Sequence, residues 1–428
     1  MRQPIVFVLL FVGALFARPV FENTIDGDKE VASEDELVLV HTIWRHGSRA
    51  PLRLFKNDPN IEEKWQFGLG NLLPAGMLDC LKLGRRLRER YYDYLSPHYN
   101  FSEIFIRSSD TNRTLRSASS NLIGLYEKGS RRGVDYPDIE GWPVGFVPIP
   151  VHSIKQEDDD ALFGYTVDNC PRFKEAWKQI IQTPEYTDML TKYQDTIKEG
   201  EQVSGDKMNL IDRDSAYYIV DEHFIEKRAK MPTTPGYTDQ LYDSLKELND
   251  LQIAYQFGLK LKPQNDVDFH LEMARPMGSA LLFEIIDRMQ LKAHCYEQQT
   301  INSSNAECSW INKLKYFGYS AHDSTISSLF STFGFKETNW NKPGYPDYTS
   351  SLMFELKRNA QTNEFYLQVF YLVADEPVVE LTGDIQGCEQ SCTLAEFTQR
   401  SEIYKIENRT EVSLLYPTKY LNLLISVL

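Results

Sequence analysis

One short segment of the sequence gathers three cationic side chains on a single turn. Residues 45–51 read Arg-His-Gly-Ser-Arg-Ala-Pro, so that His46 lies between Arg45 and Arg49. Guanidinium groups donate paired hydrogen bonds to phosphate oxygens, and Gly47 lets a ligand approach the backbone. An imidazole at the same place can act as a nucleophile. The segment therefore indicates a phosphate site, and the alternative is a solvated basic turn around a structural histidine.

Two further segments carry residue types that phosphoryl transfer requires. Arg107 is followed by Ser108 and Asp110, and His322 is followed directly by Asp323. The reaction needs cationic donors around the equatorial oxygens, a nucleophile in line with the bond that breaks, and an acid behind the leaving oxygen. Taken alone, a His-Asp pair is typical of an ordinary loop, and only a position directly after a strand indicates a functional site.

Each of the three segments follows a predicted strand. We predict strands at 37–44, 103–106 and 314–319, and the first is a near-continuous apolar run that is typical of a strand buried on both faces. Helical patterns follow each loop. In parallel sheets, ligands bind where the carboxyl ends of strands lead into helix N-termini. The sequence thus predicts an α/β fold with a mainly parallel sheet flanked by helices, and a site at that edge of the sheet.

The predicted α/β catalytic domain is discontinuous. Residues 141–249 are rich in charge and in helix formers and lack the strand pattern, so they predict an inserted, mostly α-helical cap domain. The catalytic domain then comprises residues 37–140 and 250–428. Two later strands, at 351–356 and 365–374, are expected to pair antiparallel at a sheet edge.

Composition excludes some classes of partner. The 428 residues include 61 acidic and 46 basic side chains, which give a net charge of -15 at neutral pH. Such a charge repels nucleic acid and anionic membrane surfaces. We therefore expect small molecules as partners, with no nucleic acid.

The N-terminus predicts a signal peptide over residues 1–17, because Arg2 precedes a short apolar run and Ala17 marks a plausible cleavage site. The run is too short to span a bilayer, for which about 20 residues are needed. Secretion makes sequons probable glycan sites, and we expect glycans at Asn100, Asn302 and Asn408. A fourth sequon, at Asn112, is expected to stay unused because a glycan there would crowd the predicted site.

Six cysteines in a secreted chain predict three disulfides. Cys388 and Cys392 are close enough in sequence to staple one turn, and Cys295 could close a loop with Cys308. This leaves Cys80 to pair with Cys170.

The quoted segments resemble the histidine acid phosphatases, the branch of the histidine phosphatase superfamily that includes prostatic and lysosomal acid phosphatases. The resemblance covers residues 37–398 and includes the stretches at 45–51, 83–91, 106–115, 169–173 and 319–325. It implies a phosphoglycerate mutase-like fold, no cofactor or metal, and a possible homodimer. The family pattern pairs a cysteine in the 169–173 segment with one near the C-terminus, but no cysteine follows Cys392 here.

The resemblance also implies the roles of individual residues. His46 corresponds to the nucleophile and Asp323 to the proton donor. The phosphate ligands are then Arg45, Arg49, Arg107 and His322. Together they predict a secreted or lysosomal acid phosphatase that hydrolyses phosphate monoesters through a phosphohistidine.

Two other classes remain as alternatives. One is a secreted protein that binds phosphorylated ligands without turnover, although a binder has no need of both His46 and Asp323. The other is a metal-dependent phosphohydrolase that uses His322 and Asp323 as ligands, although the sequence has no second cluster of His and Asp. Within the phosphatase reading, the acidic run at 157–160 predicts weak activity on phytate because it repels a polyanion.

Overall fold

The computed structural model describes residues 35–164, 170–211, 215–264, 267–298, 306–389 and 392–406. The predicted signal peptide at 1–17 and the sequons at Asn302 and Asn408 lie outside these ranges. Within them, none of the helices combines the length and the apolar character that crossing a membrane requires.

Six strands form one sheet in the order β2-β3-β1-β4-β5-β6. Their bounds are β1 Glu36–Arg45, β2 Ile104–Ser108, β3 Tyr316–Ala321, β4 Ser351–Arg358, β5 Phe365–Leu372 and β6 Val379–Glu380. Strand β3 pairs in parallel with β1 and with β2, whereas the three remaining pairs are antiparallel. The α/β class is confirmed, but the sheet is mixed. Strand β4 runs back along β1 in the interior, and β5 and β6 extend the sheet as a meander.

Helices cover both faces of this sheet. The described residues include α1 Pro74–Arg90, α2 Asn112–Tyr126, α3 Pro171–Ile180, α4 Pro184–Lys192, α5 Gln194–Ser204, α6 Ser215–Ala229, α7 Asp239–Gln256, α8 Phe269–Gln298, α9 Ala306–Ile311, α10 Asp323–Thr332 and α11 Leu394–Ser401. Side chains of α1 and α2 share one apolar cluster with the sheet, and side chains of α8, α10 and α11 share the other.

The first strand shows why its sequence lacks an alternating pattern. Val40 and Trp44 pack into the cluster that contains α1 and α2, while Leu39 and Ile43 pack into the cluster on the opposite face. All four side chains are fully buried. A strand that is covered on both faces reads as a continuous apolar run.

Helices α3 to α7 share a separate apolar core. Trp177, Tyr186 and Leu245 belong to it, and Met273 and Met277 from the first turns of α8 complete it. Most of this helical unit, called the cap below, falls within the predicted insertion at 141–249, although α7 continues to Gln256. The division into domains stays a prediction.

Two of the predicted disulfides are confirmed: Cys295–Cys308 and Cys388–Cys392. The third prediction is wrong, because Cys80 and Cys170 are buried free thiols. Cys80 lies in α1 beside Ser117 of α2, whereas Cys170 precedes α3 and packs into the core of the cap helices. A disulfide needs Cα atoms within about 7 Å of each other, so thiols that pack in different cores cannot pair.

Candidate active site

The predicted loops of β1 and β3 meet at one edge of the sheet. The parallel register aligns Arg45 at the end of β1 with Ala321 at the end of β3. The backbone N–H of His46 donates to the carbonyl of Ala321 over 3.1 Å. As a result, the centroids of the His46 and His322 rings are 5.7 Å apart. The two histidine motifs, 276 positions apart in sequence, therefore form one site.

His46 is buried and held in one tautomer. Its Nδ1 lies 2.9 Å from the carbonyl oxygen of Gly47. Because a carbonyl can only accept, Nδ1 carries the proton and Nε2 keeps its lone pair. Burial, followed by the positive charges of Arg113 and Arg45, holds the pKa of His46 well below its usual value. This shift favours the neutral ring, with Nε2 as a potential nucleophile.

Arg45 joins the two motifs through an ion pair. Its Nη2 lies 2.7 Å from Oδ2 of Asp323, and its Nη1 donates to the carbonyl of Pro346 over 2.6 Å. The other oxygen of Asp323 accepts the backbone N–H of Ser324 over 2.7 Å, at the start of α10. The Nε–H of Arg45 is buried and has no hydrogen-bond partner in the described part of the chain.

Arg49 is held by the cap. Its Nη1 and Nη2 donate to the two carboxylate oxygens of Asp221 over 2.9 and 3.1 Å, and Nη2 also lies 2.9 Å from the hydroxyl of Tyr217. Both partners belong to α6, one turn apart on the same face. Within the described residues, the buried Nε–H of Arg49 has no partner, as for Arg45.

His322 precedes α10 and orients a further arginine. Nη2 of Arg113, in the first turn of α2, lies 3.2 Å from Nδ1 of His322. An arginine can only donate, so in the neutral ring Nε2 carries the proton and donates to the hydroxyl of Ser109 over 2.9 Å. Burial and the charge of Arg113 lower the pKa of His322 well below its usual value.

Arg107 is in a different position from the other predicted ligands. It donates to Asp159 and, over 2.7 Å, to Glu284, so two carboxylates neutralise its charge. Asp159 also accepts the backbone N–H of Leu162 over 3.0 Å, and the carbonyl of Leu162 accepts the hydroxyl of Thr325 over 2.9 Å. The described contacts of Arg107 therefore lead to the first turn of α10 and not to His46.

Four residues at this site are absent from the set predicted from sequence: Arg113, Tyr217, Asp221 and Tyr348. Arg113 could have been found, because it follows β2 in the first turn of a predicted helix whose N-terminus faces the site. The cap residues and Tyr348 carry no local signal in the sequence. Tyr348 lies beneath the guanidinium of Arg45, whose Cζ is 4.2 Å from the centroid of its ring.

One cluster of carboxylates could hold a cation. Asp58, Glu222 and Glu226 offer oxygens within 4.8 Å of one another, and in the described ranges they form the only such group of three metal-ligating side chains. It lies where the loop before α1 meets α6. It includes neither His322 nor Asp323, the pair expected by the metal-dependent alternative.

Comparison with known proteins shows the family of the chain. Residues 36–372 match the family model described as "Histidine phosphatase superfamily (branch 2)". The chain is 30% identical to the lysosomal acid phosphatase of Xenopus laevis, with 86% of this chain and 76% of that protein covered. It is also 30% identical to the prostatic acid phosphatase of Bos taurus, with coverages of 85% and 84%.

A solved structure shares the fold. The phytase from Citrobacter braakii superimposes with a TM-score of 0.60, and the match covers 89% of this chain and 100% of that one at 15% sequence identity. At such low identity the likeness concerns the fold alone. The family match, which spans most of the chain, goes further: the protein belongs to the second branch of the histidine phosphatase superfamily.

Proposed function

We propose that the protein is an acid phosphatase that hydrolyses phosphate monoesters through a phosphohistidine on His46, with Asp323 as the proton donor. The lysosomal and prostatic relatives support the activity. The observation that carries the mechanism is the pair of buried Nε–H groups on Arg45 and Arg49, which lie on either side of His46 and lack partners within the described chain. Buried donors are costly unless they are paired, and a phosphate oxygen is well suited to a guanidinium group.

The proposed ligand set follows from the contacts around His46. Arg45 and Arg49 donate to the phosphoryl oxygens through Nε. Arg113 supplies the third guanidinium, because it contacts His322 and is the charge that most strongly lowers the pKa of His46. His322 belongs to the set as well, because its ring lies 5.7 Å from that of His46. Arg107 is left out, because Asp159 and Glu284 already neutralise it.

The reaction has two steps in this proposal. In the first, the Nε2 lone pair of His46 forms a bond to phosphorus, the bond from phosphorus to the ester oxygen breaks, and the proton of Asp323 passes to the departing alkoxide. In the second, water attacks the phosphohistidine, the bond to Nε2 breaks, and the Asp323 carboxylate takes the proton of the water. Inorganic phosphate leaves, and Asp323 is again protonated.

The lowered pKa of His46 fits such an enzyme to acid solution. A histidine with its usual pKa near 6.5 would be mostly protonated at pH 5 and could not attack phosphorus. Burial and the surrounding arginines lower the pKa of His46, which extends the neutral, nucleophilic form toward acid pH.

A secreted or lysosomal location is part of the proposal. The names of the relatives support it, and the two disulfides fit an oxidising compartment. Glycans at Asn100, Asn302 and Asn408 belong to the same expectation, and a loss of mass on glycosidase treatment would test them.

The central test is to trap the intermediate. Rapid acid quench of the wild-type protein with ³²P-labelled p-nitrophenyl phosphate should yield a phosphoprotein that is labile to acid and stable to base, and His46→Ala should yield none. A base-labile acyl phosphate would contradict the phosphohistidine. Steady-state assays at pH 5 with and without a chelator test the alternatives: lost activity would indicate a metal-dependent enzyme, and binding without turnover would indicate a binding protein.

A further inference from the structure

Tyr348 lies against the proposed nucleophile but has no part in the mechanism above. It belongs to the turn that leads into β4, and only 6% of it is exposed. The centroid of its ring is 5.9 Å from that of His46, and the guanidinium of Arg45 stacks on the ring at 4.2 Å. The side chain therefore forms one wall of the site.

The hydroxyl of Tyr348 is buried and has no hydrogen-bond partner among the described residues. A buried phenol normally finds a partner, because burying an unpaired hydroxyl is costly. The charged groups that act on this hydroxyl are Arg49, Asp221, Arg45 and Asp323, which also surround the phosphate pocket. The hydroxyl thus lies among the charged groups of the proposed phosphate site.

The backbone next to Tyr348 adopts a conformation that its sequence does not favour. Thr349 has φ of 59°, in the left-handed region that β-branched residues avoid. The same turn is fastened to the nucleophile loop, because Thr349 N donates to the carbonyl of His46 over 3.4 Å and Arg45 N donates to that of Ser350 over 2.9 Å. The fold therefore holds an unfavourable turn that keeps Tyr348 beside His46.

From these observations we infer that the Tyr348 hydroxyl donates a hydrogen bond to a phosphoryl oxygen of the bound substrate and of the phosphorylated His46. The inference rests on the proposed function, since it adds a neutral donor to the arginines of that site. The hydroxyl keeps its proton under working conditions, because burial raises the pKa of Tyr348. A purely structural reading is that Tyr348 serves only as a platform for Arg45.

The substitution Tyr348→Phe separates the two readings, because it keeps the ring and removes the hydroxyl. If the hydroxyl binds the phosphoryl group, kcat/KM should fall about 10- to 100-fold, and the inhibition constant of inorganic phosphate should rise at least severalfold. The loss should be the same for p-nitrophenyl phosphate and for an alkyl phosphate, because both carry the same phosphoryl oxygens. The melting temperature should stay equal or rise, because an unpaired buried group has been removed.

Tyr316→Phe is the matched control. Tyr316 lies fully buried in β3, and its hydroxyl lies beside the side chain of Thr42. It belongs to the cluster formed with α1 and α2, away from the charged site. The variant should keep wild-type kcat/KM and wild-type inhibition by phosphate.

Three results would overturn the inference. Wild-type kcat/KM and phosphate inhibition in Tyr348→Phe would leave only the platform role. A loss confined to the alkyl ester would move the hydroxyl from a phosphoryl oxygen to the leaving oxygen. A lower melting temperature in Tyr348→Phe alone would attribute the kinetic loss to structure. None of these touches the phosphatase proposal, which instead fails if the wild-type protein does not hydrolyse either ester.

Discussion

Around His46, each arginine is fixed by a partner that leaves part of its guanidinium group for another use. Asp323 and a backbone carbonyl hold the two Nη atoms of Arg45, and Asp221 holds those of Arg49. Rigid, desolvated donors of this kind stabilise transition-state charge without having to reorganise. The carboxylates beside the arginines are therefore as important to the site as the cations are.

Asp323→Asn tests whether Asp323 donates the proton to the leaving group. The amide keeps the shape of the side chain but cannot donate a proton to an alkoxide. General acid catalysis is worth roughly 10² to 10⁴-fold, so hydrolysis of an alkyl phosphate should fall by about that factor. Hydrolysis of p-nitrophenyl phosphate should fall much less, because its leaving group departs as the anion.

The measurement for this variant is the ratio of kcat/KM for the two esters, compared with the same ratio in the wild type. Asn keeps an oxygen for the backbone N–H of Ser324 but weakens the ion pair with Arg45. A loss that arises only from a displaced Arg45 would lower both rates alike, and an unchanged ratio would remove Asp323 from the acid role.

Arg107 and Arg113 provide a second test, because Arg107 lies near the end of β2 and Arg113 at the start of the next helix, but only Arg113 contacts His322. Arg113→Met should weaken inhibition by phosphate and should move the acidic limb of the kcat/KM profile to higher pH, since the pKa of His46 rises when that charge is removed. Arg107→Met should leave both properties nearly unchanged.

Instead, Arg107→Met should lower the free energy of unfolding by about 3–5 kcal/mol, because it leaves buried Asp159 without its cation, whereas Glu284 keeps its ion pair with Arg288. Urea unfolding of both variants measures this difference. If Arg107→Met abolished phosphate inhibition at unchanged stability, Arg107 would be a ligand after all.

At the scale of elements, the nucleophile loop is positioned by backbone packed against backbone. A Cβ on Gly76, near the start of α1, would lie 2.1 Å from the carbonyl oxygen of Ser48, and one on Gly47 would lie 2.2 Å from that of Gly76. No side chain fits between helix and loop. The first turn of α1 therefore fixes the position of the loop that carries His46.

Gly76→Ala should displace that loop. We expect a loss of roughly 1–3 kcal/mol in the free energy of unfolding from overpacking, and a drop in kcat of at least 10-fold because His46 shifts relative to its ligands. Gly383→Ala is the control, since a Cβ there meets nothing within 4 Å. Wild-type kcat in Gly76→Ala would show that the loop adapts.

The positions of these strands explain how much of the site could be predicted from the sequence. The strands that end at Arg45 and Ala321 are buried on both faces, so their apolar runs stand out, and the motif residues follow directly. By contrast, the family resemblance assigned Arg107 to the site, whereas its contacts lie with Asp159 and Glu284. Which way one side chain points at a strand end depends on partners far away in sequence.

Cysteine pairing failed for a related reason. Elimination assumes that every thiol is oxidised, but Cys80 and Cys170 belong to different packing units, which no local pattern reveals. The contacts of Arg49 with the cap could not be predicted either, because Tyr217 and Asp221 reach Arg49 only once α6 packs against the loop.

For the molecule as a whole, pH should act on stability through the junction between the cap and the catalytic domain. Burial raises the pKa of Glu222 to about 10 and that of Glu226 to about 8, and neighbouring Asp58 adds to both shifts. Asn60 and the backbone N–H of Phe55 are the donors that face them. These carboxyl groups are therefore protonated in the folded protein over a pH range where the unfolded chain has lost its protons.

A carboxyl group whose pKa is raised by folding contributes stability that is complete below about pH 4.5 and is lost as the pH rises toward the folded value. We expect the melting temperature to fall between pH 5 and pH 8. Glu226→Gln, which cannot ionise, should reduce this fall, whereas the exposed control Glu364→Gln should not. Equal slopes in wild type and Glu226→Gln would show that the cluster does not contribute.

The face of α6 that contacts the nucleophile loop also limits which parts of the protein can be exchanged in a chimaera. Arg228 on this helix donates to the hydroxyl of Ser48 over 2.8 Å, and Tyr217 and Asp221 hold Arg49. Replacing the cap by that of a relative would therefore also replace the side chains that hold Arg49 and Ser48. The cap and the nucleophile loop thus depend on each other's sequence. We expect chimaeras to stay active only when they keep α6 of this chain. Loops of the cap that do not contact the nucleophile loop should tolerate exchange.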